Sequence, residues 1–111
     1  MEKTRLKKVE RLIQKELSLI FQQNTFIEQR NVLISVTVVR ISSDLSIARV
    51  YVSIFPDDLA EKVLEQITKN VGKIKYELGN KVRNQLRKIP DLKFFIDDTL
   101  EYASKIDNLL K

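Results

Sequence analysis

The sequence predicts an α+β fold from three features. Apolar residues recur at helical spacing from Thr4 to Gln23 and again from Asp58 to Lys88. Two runs rich in β-branched residues, Leu33–Ile41 and Ile47–Phe55, alternate as strands do. A short apolar run, Leu92–Ile96, follows Pro90. The expected order is α-β-β-α-kink-α-β-α, a three-stranded sheet with helices packed on one side. Two helices crossing between the second and third strands favour a mixed sheet. With 111 residues, two glycines and two prolines, the chain suffices for one core, so a single domain over 1–111 is expected.

In the first helix Leu6, Val9, Ile13, Leu17 and Ile20 make the apolar stripe. Lys7, Lys8, Arg11 and Lys15 point away from it, with Glu10 and Glu16 near enough to temper the charge; a solvated face is the plain reading, and a second patch of RNA contacts is the functional one. Asn24–Asn31 breaks the pattern and reads as a loop. In the first strand alternation puts Ile34, Val36 and Val38 on one face; in the second, Ala48, Val50, Val52 and Ile54. The polar turn Ser42–Ser46 joins them as a hairpin. Val39, Tyr51 and Phe55 fall on the opposite face, which is either partly covered by the first helix or a binding surface; cover by the helix is the expectation.

Pro56-Asp57-Asp58 ends the second strand, and Asp58 with Glu61 has capping-box spacing. Ile67–Pro90 reads as one long amphipathic helix interrupted at Gly72, with its stripe at Ile67, Val71, Ile74, Leu78, Val82 and Leu86. Glycine inside a helix costs about 1 kcal/mol against alanine, so Gly72 reads as a kink and Gly79 as a packing contact. Pro90 ends the helix. Asp98 and Glu101 again have capping-box spacing, before a last helix at Thr99–Leu110.

The second helical stretch is also the most basic. Between Lys69 and Lys88 there are seven bases, Lys69, Lys73, Lys75, Lys81, Arg83, Arg87 and Lys88, and one acid, Glu77. Lys69, Lys73, Asn80, Asn84 and Arg87 lie opposite the apolar stripe, a pattern suited to phosphates, while Lys75 lies close to it. The net charge of +5 and pI near 9.5 favour anionic partners, either nucleic acid or an acidic protein surface.

Catalysis has little to work with. The chain has no histidine and no cysteine, hence no imidazole base, thiolate nucleophile or thiolate metal site. The pairs Asp57/Asp58 and Asp97/Asp98 each precede a helix, where capping accounts for them. No enzyme activity, cofactor or metal is expected. The N-terminus has no continuous apolar run, neither signal peptide nor membrane span, so a cytoplasmic location is expected. An RNA-recognition sheet would need projecting aromatics; Tyr51 with Phe94 or Phe95 is present, without the Gly-aromatic strand motif. A KH module would carry a GxxG loop between its helices; here the break reads Asn70-Val71-Gly72-Lys73, with the first glycine missing.

Taken together, these residues resemble the ribosome-binding factor A family. The resemblance is carried by Ser43-Asp44-Leu45-Ser46-Ile47-Ala48-Arg49-Val50, by Ile74-x-x-Glu77-Leu78-Gly79, and by Pro90-Asp91-Leu92-Lys93-Phe94-x-x-Asp97-Asp98. It implies a KH-type II-like domain in which an Ala-x-Gly kink replaces the GxxG loop; Asn70, Val71 and Gly72 stand at that kink, with asparagine in place of the alanine. It further implies a non-enzymatic monomer that binds the immature 30S subunit at its 16S rRNA, at the 5′-terminal and decoding-region helices. Such a factor assists late maturation and 5′/3′-end processing, supports growth in the cold, and has a maturation GTPase as a further partner. Family members often carry a C-terminal extension, expected to be essentially absent from a sequence ending at Lys111. The alternative is a basic protein-interaction module for an acidic protein partner.

Overall fold

The computed structural model describes residues 3–23 and 32–97. In chain order they form α1 (Lys3–Gln23), β1 (Leu33–Ile41), β2 (Ile47–Phe55), a 3-10 turn (Asp57–Leu59), α2 (Ala60–Lys69), α3 (Val71–Val82) and β3 (Asp91–Ile96). The loop expected at Asn24–Asn31 and the helix expected at Thr99–Leu110, with its Asp98–Glu101 cap, lie outside the described residues. The fold is α+β. Its sheet has the order β1-β2-β3, antiparallel between β1 and β2 and parallel between β2 and β3; the parallel pair needs a long crossover, which α2 and α3 supply.

The β1–β2 turn is held by side chains. Ser42 N–H donates to the Ile47 carbonyl at 2.9 Å, while the Ser42 hydroxyl oxygen accepts from Ser46 and Ile47 N–H at 3.1 Å. Asp44 accepts from the hydroxyls of Ser42 and Ser46 and from Ser46 N–H. Leu45 sits at φ 62°, a left-handed conformation that side chains resist.

Past the turn, strict alternation fails in β1. A register shift between Val36 and Val38 inserts one residue. Val36 pairs with Val52 and faces the core, but beyond the bulge Val39 and Ile41 face it instead, and Val38 turns outward opposite Tyr51. The predicted placement of Val38 inside and Val39 outside is therefore corrected. Gln14 of α1 stabilises the irregularity, its amide donating to the carbonyls of Val36 at 3.0 Å and Thr37 at 3.3 Å.

All three described helices share one core with one face of the sheet. Val9, Ile13, Leu17 and Ile20 of α1, Val63 and Ile67 of α2, and Ile74, Leu78 and Val82 of α3 are buried against Val36, Val39, Ala48, Val50, Val52 and Ile54. Because α1 covers the core face, it does not cover Tyr51 and Phe55. Phe55 is 67% exposed, contrary to the expectation for that side.

Helix ends also depart from the sequence reading. Asp58 makes no capping hydrogen bond; Leu59 N–H donates to the Pro56 carbonyl at 3.1 Å, and α2 begins at Ala60 after a 3-10 turn. The acids Asp57 and Asp58 remain next to the helix N-terminus, where the dipole favours them. The break after α2 falls at Asn70 (φ −103°, ψ 14°), and Gly72 lies within the first turn of α3. Nor does α3 continue to Pro90: it ends at Val82, where the Val82 carbonyl takes both Gln85 and Leu86 N–H. Leu86 and Ile89 keep apolar spacing because they fold back onto the core from the connector.

Candidate nucleic-acid interface

Burying a helix stripe fixes what the opposite side presents. In α1 the stripe leaves Lys7, Lys8, Arg11 and Lys15 exposed. Glu10, expected to temper them, is occupied elsewhere: its carboxylate accepts the Ile41 N–H at 2.9 Å at the end of β1. In α3 the buried Ile74, Leu78 and Val82 leave Gly72, Lys73, Tyr76, Glu77, Asn80 and Lys81 outside. Since α1 packs on α3, both basic faces belong to one helical layer.

Not every predicted base is equally available. Lys75, half-buried, donates to Asp91 at 2.6 Å and ties α3 to the start of β3; the pair holds the Asp91 carboxyl below its usual range. Lys69 pairs with Glu65 one turn back, at 3.2 Å. Lys88 is exposed but acts electrostatically on the carboxylates of Asp44 and Asp91. Lys73, Lys81, Arg83 and Arg87 are exposed and engage in no ion pair among the described residues, although Glu77 lies one turn from both Lys73 and Lys81. Arg83 follows the last residue of α3, and Arg87 and Lys88 stand on the connector to β3, not on a helix as predicted.

At the junction, Asn70 works through its side chain. Its amide donates to the Gln66 carbonyl at 2.8 Å, which also receives the Asn70 N–H, while the Asn70 carbonyl accepts Ile74 N–H at 3.0 Å. Asparagine thus closes one helix and opens the next. Gly72 has a negative φ and nothing within 4 Å of an added Cβ, so the break does not require glycine there. At Gly79 an added Cβ would meet Ile89 at 3.6 Å, the packing contact expected of it.

Two features escaped the sequence reading. Tyr76, 70% exposed, rises beside a shallow groove lined by Gly72, Lys75, Gly79, Asn80 and Ile89. Its spacing of four from Gly72 and three from Gly79 was the available signal. A second depression joins Thr68 and Val71 at the helix junction to Leu92, Lys93, Phe94 and Phe95 on β3.

Among the described residues no three potential ligands cluster to hold a metal ion, and no helix is long and apolar enough to cross a membrane. Amines, guanidinium groups and one exposed aromatic on the helical layer and the connector after α3 make a surface for anions. The fold and this surface define a small basic α+β binding protein. The family profile described as ribosome-binding factor A matches residues 5–110, and the chain belongs to that family. A ribosome-binding factor A of Flavobacterium johnsoniae is 49% identical over 99% of this chain and 85% of its own length; one from Christiangramia forsetii is 47% identical over 100% and 86%. The crystal structure of ribosome-binding factor A from Thermus thermophilus superposes with a TM-score of 0.67 at 26% identity, covering 86% of this chain and 97% of that one. A homology model of the Thermus thermophilus protein fitted into a cryo-EM map of its complex with the 30S subunit gives 0.63 at 26% identity, covering 78% and 88%.

Proposed function

We propose that this chain is a ribosome assembly factor that binds the immature 30S subunit through 16S rRNA. It acts in the cytoplasm as a monomeric, non-enzymatic, KH-like domain spanning 1–111. In this reading it occupies its site while the surrounding rRNA matures, assists processing of the 16S rRNA 5′ and 3′ ends, and is most needed in the cold, where misfolded RNA escapes slowly. A maturation GTPase is a further partner. The observation that carries the reading is the exposed quartet Lys73, Lys81, Arg83 and Arg87, free of described ion pairs, in a member of this family. The binding of the Thermus thermophilus relative to the 30S subunit supports it. Such cations contact phosphate and set position on the RNA rather than read its sequence.

Sedimentation of the tagged protein with ribosomal particles from its own cells tests this. Wild type is expected with free 30S subunits and not with translating ribosomes. A folded Lys73→Glu, Lys81→Glu, Arg83→Glu, Arg87→Glu variant is expected at the top of the gradient. Equal binding by both would move the contact to another face. Wild type failing to sediment with 30S would overturn the proposal and favour an acidic protein partner.

A further inference from the structure

The sheet face turned away from the described helices carries a cationic row beside an aromatic pair, and the proposed function uses neither. Arg40 pairs in register with Arg49, and Arg49 with Lys93, so three cations stand side by side across all three strands. All three are exposed, and no described carboxylate pairs with them. The acid at the start of β3, Asp91, is ion-paired with Lys75 and reaches Lys93 only as a weaker, longer-range attraction. Like charges directly opposite one another destabilise a sheet, so the row is unfavourable until a polyanion neutralises it.

Two residues along the strands, about 6.5 Å on, the next row is Val38, Tyr51 and Phe95. The rings of Tyr51 and Phe95 stack with centroids 5.4 Å apart and planes 29° from parallel. Phe95 remains 40% exposed. The parallel pairing of β2 with β3 creates this neighbourhood: it matches Tyr51 with Phe95 and Arg49 with Lys93 in one register.

We propose that this outer face is a second RNA contact, taking an unpaired stretch with a base against Tyr51–Phe95 and flanking phosphates on Arg40, Arg49 and Lys93. The proposal rests on the rRNA-binding reading and extends it from the helical layer to the opposite side. Aromatic faces accept any base and cations accept any phosphate, so this contact would hold single-stranded RNA with little sequence preference. An acidic peptide would satisfy the cations but gives no specific use to a stacked ring pair.

The test uses the full chain and a fluorescein-labelled oligouridine ten nucleotides long. Tyr51→Thr with Phe95→Thr keeps strand propensity and is expected to weaken binding by about tenfold or more, from the loss of base stacking. Arg40→Gln, Arg49→Gln, Lys93→Gln is expected to lower the salt dependence by about two logarithmic units per tenfold change in salt. In NMR spectra the oligonucleotide is expected to shift the signals of Tyr51, Arg49 and Lys93. Wild-type affinity in the aromatic variant, or shifts confined to Lys73 and Lys81, would overturn the proposal. So would cross-peaks from Tyr51 and Phe95 to residues 98–111 or to a second copy, which would assign the face to that occupant. The two proposals fail separately: oligouridine binding that the aromatic variant retains in full, with wild-type 30S sedimentation intact, sinks only this one, and absence of wild-type 30S sedimentation sinks the parent reading.

Discussion

Asparagine 70 and glycine 72 sit two residues apart and do different work. The break between the helices is made by Asn70, whose side chain and carbonyl serve both helices. Gly72 is an ordinary helical residue with open space beyond its Cα. Replacing Gly72 by Ala should therefore stabilise the protein by about 0.5 kcal/mol, from reduced freedom of the unfolded chain. Urea denaturation reads that gain. If RNA backbone approaches α3 at Gly72, the same variant should bind 30S subunits less well while being more stable. Arg49 offers the same opposition of signs. It lies between Arg40 and Lys93, so Arg49→Thr should raise stability at low salt by about 0.2–1 kcal/mol. The same change should weaken oligouridine binding. A loss of stability in Arg49→Thr would show that the row is not repulsive.

At the scale of elements, the β1–β2 hairpin depends on its turn. Hydrogen bonds from Ser46 and Ser42 pull the Asp44 carboxyl down to about 2 from its ordinary 3.8. The sign follows from linkage: a carboxyl with a lowered folded-state pKa contributes fully above 3.8 and loses that contribution as pH falls through about 2. The stability gap between wild type and Asp44→Ala should hold steady at neutral pH and close below about pH 4. NMR titration of the Asp44 carboxyl and urea unfolding at several pH values check it. A gap unchanged at pH 2.5 would mean that the turn does not draw on the charged carboxylate. The strand bounds were legible in the sequence because β-branched runs end at polar turns. The bulge was not, because local alternation does not reveal which residue the partner strand skips. The end of α3 was hidden for a related reason: Leu86 and Ile89 reach the core from a connector while keeping helical spacing.

Over the whole molecule, the described basic surface divides between the helical layer and the outer sheet. Exposed cations are weakly held by long-range attraction alone, which salt screens. Binding to 30S subunits should therefore fall steeply with salt. Each phosphate contact removed from the quartet Lys73, Lys81, Arg83 and Arg87 should reduce the slope of log K against log salt by about 0.7–0.9. Filter binding of 30S subunits across a salt series measures this; identical slopes for wild type and the quartet variant would place those residues away from the phosphates. Most of the candidate list could be read from the sequence because burying an apolar stripe exposes the residues opposite it. The ranking within the list could not, since Lys75 meets Asp91 sixteen residues away.

Local physics in the sequence determined the α+β class, the described strands, the helical stripes and the concentration of bases after α2. These follow from periodicity, turn chemistry and charge, which act between near neighbours along the chain. Only the tertiary structure decided which lysines are already paired, that the break belongs to Asn70, and that the outer face carries Tyr51 and Phe95 beside Arg40, Arg49 and Lys93. The Lys75–Asp91 pair and the outer face depend on helix packing and strand register, which join residues distant in the chain and which no local pattern encodes. The Asn70 break and the Lys69–Glu65 pair are closed by groups four residues away, and there the fold selects one of several local bonds that the sequence allows.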